Sequence, residues 1–166
     1  MIRLAKVSEI SEIMALIRAC AMDMTSKGIY QWNEHYPSIH VFGKDIERGE
    51  LWVLGMDDKI VGTIVISTFM DEEYRSVQWL TPNQNNIYIH RLAIHPAYQK
   101  QGKATKLMDF AEKKSRDTGF ASIRLDTFSQ NPGNNRFYLN RGYQPLGDIY
   151  FPKQSQSPFH CYELVL

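Results

Sequence analysis

Cysteine is scarce in this 166-residue chain: Cys20 and Cys161 are the only two, far apart and in unlike surroundings. Two such residues do not make the disulfide framework of a small secreted domain, and both are expected to be reduced thiols, as in a cytoplasmic protein. Long apolar runs are missing as well, so no membrane span is indicated. Met1 to Lys6 lacks the apolar stretch of a secretory leader and reads as a short first strand. Neither sign of charge is in excess: 19 Lys and Arg stand against 18 Asp and Glu, a formal net charge of +1. That balance gives no support to a broad nucleic-acid-binding or anionic-membrane surface. The five histidines show neither H-x-x-x-H nor Cys/His ligand spacing, so no metal site is expected. The phosphate-loop patterns G-x-x-x-x-G-K-[ST] and G-x-G-x-x-G are absent, as are internal repeats and low-complexity tracts.

What is present is an ordinary globular composition, 43% hydrophobic and 22% charged. It is expected to form one domain over residues 1–166, with a single core that needs no disulfide or metal. Ile10, Ile13, Met14, Ile17 and Ala21 recur at helical spacing, with Ser8 or Ser11 as the start. An aromatic loop, Tyr30 to Tyr36, precedes a second helix that Ser38 would cap and Gly49 would close. Leu51–Leu54 and Lys59–Ile66 read as strands joined by a turn at Gly55–Asp58. Residues 71–86 are polar and without period, so a loop is expected there. Asn86–His95 is a strand that Pro96 ends; Ala104, Leu107, Met108 and Ala111 mark a helix that Gly119 stops. Its charged run, Glu112 to Asp117, reads as a solvated face. A strand at Ala121–Phe128, a short helix with Asn131 as N-cap and Pro132 at its first position, and two strands at Tyr143–Tyr150 and Phe159–Val165 complete the chain. Three consecutive strands before the long helix do not fit a doubly wound repeat, so the expected class is α/β with a mixed sheet and helices on both faces.

The informative stretch is Leu92-Ala93-Ile94-His95-Pro96-Ala97-Tyr98-Gln99-Lys100-Gln101-Gly102-Lys103-Ala104-Thr105, a strand, a tight turn and a helix start. The first turn of a helix has amides without intrahelical acceptors, and the macrodipole puts its positive end there. Gly102 and Ala104 would let a phosphate approach the backbone, and Lys100 and Lys103 add charge. In isolation, an ordinary strand-to-helix turn would look the same.

The segment resembles motif A of the GNAT superfamily of acyl-CoA-dependent N-acetyltransferases, with Gln99, Gly102 and Ala104 in the motif's fixed places. Lys59-Ile60-Val61-Gly62 is similar to the strand before that motif, and Asn131-Pro132-Gly133-Asn134-Asn135-Arg136-Phe137-Tyr138 with Gly142-Tyr143 to the family's later motif. The resemblance covers the chain and is strongest from Ile87 to Tyr143. It implies a GNAT-like mixed, splayed central sheet of about six to seven strands with helices packed on both faces. It also implies acetyl-CoA as co-substrate, and an amine acceptor that is a small molecule or a protein. A homodimer is the assembly that the family suggests.

Residue by residue, the resemblance implies that Leu92, Ala93 and Ile94 hydrogen-bond the pantetheine arm. Lys100, Gln101, Gly102, Lys103, Ala104 and Thr105 would hold the pyrophosphate through backbone N–H groups, and Asn131 would contact the cofactor near the pantetheine. Tyr138 would face the thioester sulfur as general acid; as a residue alone, it reads equally as an aromatic packing a short helix. The base stays open between Asp126, His90 and a water chain. Tyr30, Trp32 and Glu34 would shape the acceptor pocket, or the aromatics would cover the edge of the core. Neither cysteine sits in a nucleophile context, so direct transfer with both substrates bound is expected. A non-catalytic acyl-CoA sensor on the same fold and a nucleotide-binding protein are the competing functions.

Overall fold

Burial of apolar stripes decides where each element lies. The computed structural model describes all residues, 1–166, and orders them as β1 (Ile2–Leu4), α1 (Ile10–Ser26), α2 (Ile39–Glu47), β2 (Leu51–Met56), β3 (Lys59–Ser67), β4 (Asn86–Ile94), α3 (Lys103–Asp117), β5 (Ser122–Phe128), α4 (Pro132–Asn140), β6 (Gln144–Ile149) and β7 (Phe159–Val165). Seven strands hydrogen-bond in the order β1-β2-β3-β4-β5-β7-β6. Contacts divide the chain into two compact units, residues 1–66 with 90–111, and residues 67–89 with 112–166.

In the first unit, α1 buries Ile13, Leu16, Ile17 and Cys20. With Trp32, Phe42, Leu51, Val53, Ile60, Val65 and Ala93 they make one core cluster, and Ile10, Met14 and Ala21 pack at its margin. Neither serine starts α1. A short 3-10 turn, Val7–Glu9, leads into it, and the Glu9 carboxylate accepts the Lys6 N–H at 2.8 Å. Ser38 does cap α2, accepting the Val41 N–H at 3.3 Å. The β2–β3 hairpin turns on Asp57 and Asp58, with φ of 50° and 59°, the left-handed pair that matches the twist of two-residue hairpins. On the opposite face of these strands, Trp52 meets Phe110 of α3 with ring centroids 4.9 Å apart.

In the second unit, the ladder pairs Asn86, Ile87 and Tyr88 of β4 in parallel with Ser122, Ile123 and Arg124 of β5. β7 runs antiparallel between β5 and β6. Residues 67–85 are more ordered than expected: a 3-10 helix, Glu72–Ser76, buries Tyr74 completely. This connection covers the sheet face that carries Tyr88, Arg124 and Glu163. Arg124 and Glu163, both 0% exposed, pair at 2.9 Å. The guanidinium also donates to Asn83 Oδ1 and the Thr81 carbonyl, while Glu163 accepts from Leu80 N and Thr81 Oγ1. Trp79 lies 4.6 Å over the guanidinium. On the other face, Tyr138 of α4 packs on Tyr162, whose hydroxyl donates to Asn135 Oδ1 at 2.6 Å. The expected solvated run of α3 is corrected at Glu112, which is buried and accepts from Arg141 Nη2 at 2.8 Å and from the Tyr143 hydroxyl at 3.1 Å.

Candidate active site

Proline at 96 ends β4 because it has no N–H for a ladder. The chain then makes a 3-10 turn, Pro96–Tyr98, capped by His95, whose Nδ1 accepts the Ala97 N–H at 3.1 Å. The Ile94 carbonyl is held from two sides, by Gln99 Nε2 at 2.9 Å and by the Cys20 thiol at 3.2 Å. Lys100 and Gly102 take left-handed backbone conformations, φ 59° and 75°. Two such residues so close together turn the chain sharply into α3. As α3 begins, the Lys106 N–H donates to the Gly102 carbonyl at 3.0 Å. The amides of Lys103, Ala104 and Thr105 therefore lie in the first turn, where helix geometry supplies no acceptor. Such an end suits an anion, and Lys100 and Lys103 flank it in the sequence.

Gly62 lets this end form. A Cβ there would fall 2.7 Å from Ile94 Cδ1 and 3.2 Å from both the Ala93 carbonyl oxygen and Leu107 Cδ1. Its lack of a side chain allows β3, the end of β4 and α3 to close on one another. Beside it, Thr63 Oγ1 donates to the Arg91 carbonyl at 3.0 Å, and His95 N–H to the Val61 carbonyl at 2.9 Å.

Arg91, in the middle of β4, has φ 48°. Its guanidinium grips Asp45 in two parallel bonds, Nε to Oδ2 at 2.7 Å and Nη2 to Oδ1 at 2.8 Å, and donates to the Tyr36 hydroxyl at 3.2 Å. Such a bidentate pair is geometrically specific and holds an unfavourable backbone conformation in place. The pairing of Asp45 with β4 was not expected from the sequence. The signal was available: Asp45 lies one turn after Phe42 on the buried face of α2, where an acid needs a cation.

His90 precedes Arg91 in β4. Burial first, and then the Arg91 cation, lower its imidazole to about 3. It stays neutral near pH 7 and is a weak base there. Of the other expected residues in this unit, Trp32 is 8% exposed and belongs to the core cluster. Tyr30 is 65% exposed, and Glu34 is exposed beside His35, 3.5 Å away. The three residues expected to wall one pocket thus divide between the core and the surface. Leu92 to Ile94 and Lys100 to Thr105 are continuous along the end of β4, the turn and α3.

The second unit holds Asp126, Asn131 and Tyr138. Asn131 Oδ1 accepts the Asn134 N–H at 3.1 Å, so its side chain caps α4. Tyr138 is 5% exposed, with its ring near Phe137, Tyr143 and Tyr162. Its hydroxyl makes no hydrogen bond within the protein. Burial, followed by the Asp126 charge, pushes this hydroxyl above the ordinary tyrosine range, so it is a neutral donor at working pH. Asp126 is opposite Cys161 in the β5–β7 ladder, and its Oδ2 accepts from the Tyr74 hydroxyl at 2.5 Å. Tyr74 was missed by sequence reasoning, because nothing in its polar, aperiodic surroundings marks a partner so far along the chain.

Both cysteines are free and buried. Burial pushes Cys20 up to about 12, and burial and then Asp126 raise Cys161 further still. Reactive cysteines need the opposite shift. No group of three His, Cys, Asp or Glu side chains is placed to hold a metal.

Comparison with known proteins fits these features. YesJ of Bacillus subtilis strain 168, described as an uncharacterized N-acetyltransferase, is 24% identical over 153 residues, covering 91% of this chain and 82% of that protein. A GNAT-family acetyltransferase from Streptococcus agalactiae 2603 superposes with a TM-score of 0.83 at 24% identity, over 100% of this chain and 95% of its own. The PaiA N-acetyltransferase of Thermoplasma acidophilum, solved in complex with coenzyme A, gives a TM-score of 0.72 at 19% identity, over 100% and 98%. These two likenesses establish the fold. The profile of the acetyltransferase (GNAT) family matches residues 12–143, from inside α1 to the residue before β6. That span takes in the turn after β4 and the whole of α4, and on it the chain belongs to the acetyltransferase (GNAT) family and is an acetyltransferase.

Proposed function

We propose that this protein transfers the acetyl group of acetyl-CoA to a primary amine by direct attack, with both substrates bound together. The observation that carries the reading is the start of α3, where two left-handed residues precede amides without helical acceptors, beside two lysines. A pyrophosphate is the natural guest of such an end, and the coenzyme A bound by PaiA has one. The backbone of Leu92 to Ile94 would hold the pantetheine, as the family resemblance implies.

An ammonium gives up two protons on becoming an amide, one before attack and one from the tetrahedral adduct, while the departing sulfur takes one up. A free alkylammonium has a pKa of about 10.4, so a base is useful near neutral pH. Asp126 is the better candidate, since the imidazole of His90 is held near 3. The neutral nitrogen forms its bond to the thioester carbonyl carbon, and the oxyanion is met by a backbone N–H at Ile94 or a neighbour. The carbon–sulfur bond then breaks. Tyr138 donates a hydrogen bond to the departing sulfur. A thiol with an ordinary pKa of about 8.5 is more acidic than this raised hydroxyl, so Tyr138 stabilises the thiolate; Asp126 takes the first proton of the ammonium, and the second, released from the tetrahedral adduct, is the one that ends on sulfur.

The test is calorimetry with CoA, followed by a panel of amines with CoA release as the readout. CoA binding and acetylation of at least one amine are expected. Gly102→Val should weaken CoA binding by 10-fold or more, because a β-branched residue strains a left-handed position and crowds the amides. Absence of CoA heat at millimolar ligand would end the proposal; binding without turnover on any amine would favour a sensor.

A further inference from the structure

Asp126 is fixed by a residue that the family resemblance did not supply. Tyr74 is fully buried in the 3-10 helix Glu72–Ser76, and its hydroxyl donates to Asp126 Oδ2 at 2.5 Å. That is the length of a bond from a hydroxyl to an ionised carboxylate, about 2.5–2.7 Å. The ring is clasped by Trp79 and Tyr88, with centroids 5.3 and 5.7 Å away. Trp79 Nε1 donates to the Tyr74 carbonyl at 2.9 Å, so ring and backbone are both held. The next residues, Leu80 and Thr81, are tied to the buried Glu163. The whole connection before β4 is thus anchored to the β5–β7 ladder, and Tyr74 is the point where it reaches a candidate catalytic group.

We propose that Tyr74 is a positioning residue for acetyl transfer: it fixes the orientation of the Asp126 carboxylate and keeps it ionised, ready to take the amine's proton. This rests on the reading of Asp126 as the base. A hydrogen bond donated to the charged form favours that form. Burial, and then Asp126, raise the Tyr74 hydroxyl well above the ordinary tyrosine range, so it remains the donor. Other titratable groups lie around Asp126 as well. Cys161 across the ladder and Tyr138 of α4 are both raised and neutral. Arg124, on the same face of β5, is engaged by Glu163. Asp148 acts on Cys161, and Asp71 on Tyr74.

The experiment is the pH profile of kcat/KM for the wild type, Tyr74→Phe and Asp126→Asn. Asp126→Asn should abolish the acid limb. Tyr74→Phe keeps the ring, and should move that limb up by about one pH unit and lower kcat roughly 10-fold, with KM for acetyl-CoA within about twofold as expected for a positioning role. A purely structural tyrosine would lower Tm and leave the limb in place, and that result overturns the inference. If Asp126→Asn keeps the wild-type limb and turnover, the base assignment fails, and the inference with it. If Asp126→Asn loses the limb while Tyr74→Phe matches the wild type, the inference alone fails. Should Tyr74→Phe not fold, 3-fluorotyrosine at position 74 decides: its more acidic hydroxyl should shift the limb downward, and an unmoved limb refutes the role.

Discussion

Single side chains set the chemistry through what surrounds them. Tyr138 is the plainest case: a nearly buried ring, a hydroxyl with no partner in the protein, and an acidity suppressed by burial and by Asp126. A phenylalanine in its place keeps the packing on Phe137, Tyr143 and Tyr162. Tyr138→Phe is expected to lower kcat by about 10²-fold, the usual scale for losing a donor to a developing charge, with acetyl-CoA affinity nearly intact. Steady-state kinetics with calorimetry on the same variant checks both halves; unchanged turnover removes Tyr138 from the mechanism. Burial acts in the same direction at the cysteines, where it raises both thiols.

At the scale of elements, the second unit depends on polar groups in its interior. Arg124 of β5 and Glu163 of β7 carry the connection that holds Trp79, Leu80 and Thr81. Removing one partner of a buried pair leaves an uncompensated charge, at about 3–5 kcal/mol. Arg124→Met should therefore cost that much in urea unfolding at pH 7. Burial opposes ionisation of Glu163, yet its bonds from Ser122, Thr81 and Arg124 hold it below the usual carboxylate range. A carboxyl with a lowered folded pKa contributes stability that is present above its unfolded value of about 4.3 and lost as pH falls through the folded value. Unfolding free energy is thus expected to drop in acid from about pH 4.5 downward. Glu163→Gln should be less stable at pH 7 and flatter across that window. An unchanged slope in the variant would assign the acid sensitivity to other carboxylates.

For the molecule as a whole, binding and stability are linked. A ligand that binds only the folded chain at about 100 times its Kd adds about 2.7 kcal/mol, and each kcal/mol moves Tm by about 2–4 °C in a protein of this size. Acetyl-CoA at that level should raise Tm by roughly 5–11 °C, and ATP at equal concentration should raise it far less; equal shifts would favour a general nucleotide site. No helix is long and apolar enough to cross a membrane. The order of elements, the end of β4 at Pro96, the Asn131 cap and the helix start after Gly102 could all be read from residues a few positions apart. Capping, chain breaking and helical spacing are local physics, which a sequence states directly. The pairs that tune the candidate site could not be read that way. Arg91 on Asp45, Glu112 on Arg141, Arg124 on Glu163 and Tyr74 on Asp126 join residues tens of positions apart. No periodicity announces such partners; only the folded ladder and its covering connection bring them within hydrogen-bonding reach, where exclusion of water makes each interaction strong.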